Sequence, residues 1–478
     1  MRIRFLVFLL LLTSQRLMPQ DKTFETFVSD SSMKHASVTF CILDTHSGST
    51  LFEYDSYRNL IPASVMKLVT TSAAIELLGP DHVFRTEVGY SGELNERTGI
   101  LKGNIVIKGG GDPALGSAEF GEHYTGFEQK WIDKIRKNAV RKVKGKVITD
   151  DSYYDYEPVP GKWLWEDTGN YYGAGAYGLS VYDNTCEIHF RTSSDSSDHV
   201  ITGTVPEECI KGLSDYLSVS GTEDKGYVFA APYSSSGWMT GTIPANMTDF
   251  VLKASITDPP LLIAEIIDRK LKESGIEISG KPGTVRVEPT AGAGFTAITE
   301  TTSPPLKDII TVLNHESVNL YAEHLIKELG KRLENDGSTV SGTEVVRKFL
   351  TASGIANEGL FMEDGSGLSP LNSVSARTIT NLLIYMKNKS RYSAEFTGSL
   401  PEAGKEGTLK NYFRDPVFES RLAAKSGSMT RVRSYAGYLR TMSDKELAFC
   451  IIVNNFTGPS GNIVAYIEEI LKEIIITN

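Results

Sequence analysis

Three short segments carry side chains that could do nucleophilic chemistry together: Ser64-Val65-Met66-Lys67, Ser317-Val318-Asn319 and Lys425-Ser426-Gly427. A serine hydroxyl is a poor nucleophile at neutral pH and needs an adjacent base. Lysine serves as that base only when neutral, which requires desolvation or a nearby cation. Ser64 and Lys67 stand three residues apart, so on a helix they share a face. Lys425 is the candidate for the nearby cation. The backbone N–H groups of Ser64 and Ser428 suit an oxyanion hole, where one donor contributes about 3 to 4 kcal/mol. Ser317 is a candidate proton relay to a leaving amine, and Asn319 a candidate holder of the substrate amide. Lys425 and Ser426, continued by Gly427 and Ser428, form the segment expected to meet a free carboxylate and bind substrate. The reaction class is acyl transfer through a Ser64 acyl-enzyme.

Each fragment alone is short enough to recur by chance. Ser31 to Lys34 also fits S-x-x-K, and Ser460-Gly461-Asn462 also fits S-x-N. Context separates them: Ser31 lies in a polar tail, and Ser460 reads as the N-cap of the final helix. No G-x-S-x-G elbow and no P-loop occur, and Gly109-Gly110-Gly111 leads into Asp-Pro and not into a helix. Asp364 to Ser369 has the Gly/Ser composition of a connecting loop.

The elements that must position these residues come from both ends of the chain. Strand-like runs at Ser37 to Leu43 and Thr50 to Tyr54 precede a periodic helix that opens at Ser64 and stops at Gly79-Pro80. Strands at Arg421 to Lys425, Arg433 to Arg440 and Glu446 to Asn454 precede a last helix, Gly461 to Ile475. These predict one antiparallel sheet with flanking helices, an α/β (α+β) main domain spanning 21–84 and 300–478. Residues 85–299 are then an insertion, whose frequent turn clusters indicate one or two small β-rich domains; as two, they divide into an outer one (85–105 with 180–299) and an inner one (106–179). Helical patterns return at Leu306 to Leu313, Val318 to Arg332 and Thr343 to Ala352. Lys134 to Lys146 holds seven Lys or Arg, expected to be the solvated face of a helix with Trp131, Ile135, Ala139 and Val143 on its apolar side.

A length of 478 residues suggests about three domains. The composition is that of ordinary globular proteins, with 40% hydrophobic and 23% charged residues. A net charge of −10 argues against nucleic acid as a partner. Arg2 and Arg4 precede an apolar run from Phe5 to Leu12, too short to span a bilayer, so residues 1–20 read as a secretory leader and the mature chain as exported and soluble. The four Cys are too sparse for a disulfide scaffold. Cys41 and Cys450 fall in apolar strands and read as buried thiols, while pairing of Cys186 with Cys209 stays open. Neither the Cys nor the eight scattered His have metal-ligand spacing, so no metal and no cofactor is expected.

The ordered trio resembles the active-site set of penicillin-recognising serine enzymes. Its spacing, 253 residues from Ser64 to Ser317 and 108 from there to Lys425, is similar to that of the low-molecular-mass class C penicillin-binding proteins, the D-Ala-D-Ala carboxypeptidase/endopeptidase family. The Gly109 to Pro113 run, Asp364 to Asn372 and Ala424 to Leu439 also resemble that family. Ser426 stands where Thr is usual, and no Glu-x-x-Leu-Asn string is present to deacylate a penicillin adduct. The resemblance implies a β-lactamase/transpeptidase-like main domain with two inserted domains. It implies hydrolysis of peptidoglycan stem peptides and cross-bridges in the cell wall, with β-lactam antibiotics as covalent inhibitors. A β-lactamase-like hydrolase and a non-catalytic cell-wall binding protein remain alternatives, and a homodimer stays open.

Overall fold

The computed structural model describes residues 19–194, 198–207, 209 and 211–478. Residues 1–18, and with them nearly all of the expected leader, lie outside the described residues. The two ends of the chain build one five-stranded antiparallel sheet, in the order Leu422–Met429, Val432–Arg440, Glu446–Asn454, Ser37–Asp44, Thr50–Tyr54. Helices cover both faces, which explains why the central strand Glu446–Asn454 reads as a near-continuous apolar run. On one face Phe40, Ile42, Phe449 and Ile451 pack against Ile467 and Leu471 of the Ser460–Thr477 helix and Phe27 of the Pro19–Ser29 helix. On the other, Cys41, Leu43, Cys450 and Ile452 join the core that holds Leu68, Leu325 and Leu383. Cys41 and Cys450 are direct cross-strand neighbours, both buried and both free thiols.

The Met66–Leu78 helix is less amphipathic than its pattern predicts, since every residue from Met66 to Ile75 is buried. Such a helix runs through the middle of a molecule. Its polar residues therefore need internal partners: Thr70 donates to Gly365 O at 2.6 Å and Thr71 to Lys67 O at 2.8 Å. The expected helices near 306, 318 and 343 are Leu306–Glu316, Asn319–Glu334 and Thr339–Ala352. Ser460 is not the cap of the last helix: Pro459 holds that position, and the Ser460 hydroxyl instead accepts from Arg433 Nη2 at 2.8 Å.

Strand pairing cuts the insertion elsewhere than the expected 106–179 inner segment. Ile100–Lys108 continues past residue 105 and pairs in parallel with Val147–Asp150 and Lys142–Val143, so these strands join the sheet of Arg85–Asn95 and Thr296–Thr302. Two separate three-stranded sheets lie between 185 and 255. Parallel pairing across long connections leaves no turn signal to mark it. The basic run also differs from expectation. Its helix, Phe127–Lys137, stops where Ala139 adopts φ +62°, and Val143 sits in a strand. Cys186 and Cys209 form a disulfide. Among the described residues no helix is long and apolar enough to cross a membrane.

Candidate active site

Ser64 lies in a single 3₁₀ turn, Ala63–Val65, that runs straight into the Met66–Leu78 helix. Ala63 carries φ +47°, a left-handed backbone that a residue with a Cβ holds only when its surroundings impose it. The main sheet imposes it. Ser434 donates to Pro62 O at 2.6 Å, and the Asn454 amide clasps both backbone groups of Ile61, at 2.8 and 3.0 Å. The strand edge presses close: a Cβ on Gly427 would lie 2.7 Å from Pro62 O and 3.0 Å from Ser64 N. Only glycine lets the two backbones meet there.

The Lys67 side chain is fully buried and its ammonium position is saturated with acceptors. Nζ lies 2.9 Å from Ser64 Oγ, 2.6 Å from Asn319 Oδ1 and 2.8 Å from Ser366 O. Burial pushes the Lys67 pKa down to about 7, against the upward pull of Glu323 and Asp364. Lys425 is also fully buried and donates to Ser426 O at 2.9 Å. Burial, and then Lys67, push Lys425 well below the usual lysine range. Desolvation is the largest cause at both lysines, and the two lie close enough for each charge to disfavour the other.

Asn319 opens the Asn319–Glu334 helix and turns its amide both ways, accepting from Lys67 and donating to Tyr172 O of the insertion at 2.8 Å. Ser317 caps the preceding helix with φ +60° and lines the cleft beside Ser64. Ser428 lines the same cleft, and its hydroxyl accepts from Arg433. The Ser426 hydroxyl donates to Thr408 Oγ1 at 2.7 Å, in the short Gly407–Leu409 turn beside the strand. The cleft measures about 1010 Å³ and takes its far wall from the insertion, including Leu164, Glu166, Tyr171 and Glu187. All three segments thus meet at one place, with Lys425, Ser426 and Gly427 on the strand that leads to Ser428.

Sequence reasoning missed the group that fixes Lys67 from below. The Asp364–Asn372 segment is no plain connection. Asp364 is buried and accepts from Gly367 N, Ser369 N, Asn372 Nδ2 and Trp163 Nε1, all between 2.6 and 2.8 Å. Glu323 accepts from Gly365 N at 3.0 Å and Ser366 N at 2.8 Å, and so aims the Ser366 carbonyl at Lys67. Burial and the nearby Asp364 push the Glu323 carboxyl up. The available signal was its place four residues after Asn319, on the same face of the helix.

Known proteins resemble this chain over most of its length. A D-alanyl-D-alanine carboxypeptidase from Actinomadura sp. is 27% identical over 461 residues, covering 93% of this chain and 82% of that protein. The carboxypeptidase DacB of Haemophilus influenzae is 23% identical and covers 90% and 88%. The crystal structure of penicillin binding protein 4 from H. influenzae superposes with a TM-score of 0.81 at 19% identity, over 96% of this chain and 100% of that one. The fold is therefore the transpeptidase-like one expected. Residues 20–471 match the D-Ala-D-Ala carboxypeptidase 3 (S13) family of peptidases, and the chain belongs to that family.

Proposed function

We propose that this protein is an exported serine D-Ala-D-Ala carboxypeptidase and DD-endopeptidase that works on peptidoglycan stem peptides through an acyl-enzyme on Ser64. One observation carries the reading: a fully desolvated lysine amine, held near pH 7, sits 2.9 Å from the Ser64 hydroxyl. Neutral Lys67 takes the hydroxyl proton as Oγ bonds to the carbonyl carbon of the penultimate D-Ala. The N–H groups of Ser64 and Ser428 receive the oxyanion. Ser317 relays the proton to the departing amine as the C–N bond breaks, and water then frees the enzyme. Asn319 holds the peptide amide, while Lys425, Ser426 and Gly427 shape the seat for the terminal carboxylate. In this reading 21–84 with 300–478 carry the chemistry and 85–299 shape the cleft. Its wall is acidic on balance, with Glu119, Glu166 and Glu316 beside a Glu187 already paired with Lys253 at 3.0 Å, and suits a stem peptide bearing a free amino group.

Penicillin would acylate the same serine and stay bound. A solved penicillin binding protein 4 from H. influenzae, TM-score 0.75, holds a β-lactam. Intact-mass measurement after penicillin treatment, with peptide mapping, tests the reading: the adduct belongs on Ser64. Release of D-Ala from a free pentapeptide, lost in Ser64→Ala, is the second arm. Rapid turnover of a chromogenic cephalosporin would favour a β-lactamase-like hydrolase, and an adduct without D-Ala release would favour a binding protein.

A further inference from the structure

The insertion carries an aromatic surface that the cleft chemistry does not use. In the sheet ordered Leu213–Val219, Gly237–Ile243, Lys225–Ala230, one face buries Leu217, Val219, Val228, Met239 and Ile243. The opposite face looks to solvent and presents Tyr216, Tyr227 and Trp238, respectively 69%, 42% and 40% exposed, with Phe229 half-buried between them. The register sets them in two rows: Tyr216 and Tyr227 flank Thr240, and Phe229 lies opposite Trp238. The Phe229 and Trp238 rings stack at 5.3 Å, 11° from parallel, and Trp165 adds a third ring at 6.4 and 6.5 Å. Hydroxyls fill the spaces, from Ser214, Ser218, Thr240 and Thr242. Lys225, which shares this face, is held by Glu223 at 2.5 Å.

Large exposed aromatics clustered on one sheet face mark a binding surface. Flat rings set among hydroxyls, with the local lysine already paired, match a neutral polyhydroxylated ligand. The C–H faces of sugar rings stack on the aromatics, and their hydroxyl and amide groups meet the Ser and Thr side chains. The chain's net charge of −10 disfavours a polyanion there. The surface is continuous with the cleft, because Trp165 stands between Leu164 and Glu166, both part of the cleft wall.

We propose that this face binds a β-1,4-linked N-acetylhexosamine strand, the glycan to which the stem peptides are attached, and so holds the polymer while a stem enters the cleft. The choice of strand rests on the function proposed above.

Calorimetric titration of the full chain with a soluble β-1,4-linked N-acetylglucosamine oligosaccharide tests it. Wild type and Ser64→Ala should bind saturably and alike, and Trp238→Ala and Tyr216→Ala should each weaken binding about tenfold. Both side chains leave the buried face intact, and thermal melts check that the variants fold. On polymeric peptidoglycan, Trp238→Ala should lose about tenfold more activity than on a free pentapeptide. No saturable binding by wild type, or undiminished binding by both variants, overturns the proposal. So does self-association in sedimentation that Trp238→Ala abolishes, since the face would then pair two copies. The free pentapeptide contains no sugar, so its hydrolysis reports on the cleft alone and separates failure of this inference from failure of the proposed activity.

Discussion

Lys67 has a pKa of about 7 in the folded chain and 10.5 as the ordinary value, and this difference acts on rate and on stability. Acylation by penicillin should rise with pH through a midpoint near 7, as the amine loses its proton. For stability, the unfolded chain holds the extra proton between those two pH values, so the Lys67 contribution improves as pH rises from about 7 toward 10.5. Below about 7 its destabilising effect is complete. Lys67→Met should therefore acylate at least about a hundredfold more slowly. It should also melt above wild type at pH 6 by a margin that shrinks at pH 9, which paired acylation kinetics and thermal melts will show. The Ser64 and Lys67 pairing was legible because it is local, three residues on one helix face. The Glu323 and Asp364 contributions were not, since each acts by accepting backbone N–H groups from a loop that reads as a turn. How far each lysine is desolvated depends on burial, which no spacing reveals.

The elements around the serine act as a clamp, with the Leu422–Met429 strand on one side and the Asp364 loop on the other. Gly427→Ala would put a methyl group 2.3 Å from Ser434 Oγ and 2.7 Å from Pro62 O. Such overpacking costs about 1 to 3 kcal/mol, and here it must shift the strand from the Ser64 turn. Denaturant melts should show that loss, together with penicillin acylation slowed about a hundredfold, the effect of misplacing a reacting group by about 1 Å. Glu323→Ala should slow acylation while Glu323→Gln restores part of the rate, because the amide oxygen can still accept from the loop; stopped-flow labelling distinguishes them. The strands of the main sheet were readable from apolar runs and the Ser64 helix from its stop at Gly79-Pro80. The end of the basic helix was not, because a left-handed alanine at 139 carries no residue signature.

At the scale of the molecule the insertion is built into the site and is not merely appended to it. Tyr172 O receives the Asn319 amide, and Trp163 donates to Asp364. Trp163→Phe should remove one hydrogen bond to a buried carboxylate, destabilising the chain by about 1.5 to 3 kcal/mol, and slow acylation through the loaded loop, both measurable in one preparation. The Cys186–Cys209 disulfide closes a segment remote from Ser64 in sequence. Replacing both with Ser should lower the melting temperature, by about 3 kcal/mol of stability for a loop of this size, while penicillin labelling survives. The main sheet assembled from both ends of the chain was legible from its strands, whereas the strand pairing inside the insertion depended on long-range parallel contacts that leave no local trace.

The strand Ser37–Asp44 lies between Glu446–Asn454 and Thr50–Tyr54. During synthesis its inner edge waits, unzipped, for a partner made about four hundred residues later. Until then Pro62 and Ile61 lack the clasp that sets the Ser64 turn. A ribosome-released fragment ending before residue 446 should thus be inert toward penicillin, so that any reactivity of the Ser64 hydroxyl arrives only once the last strand of the sheet has been made.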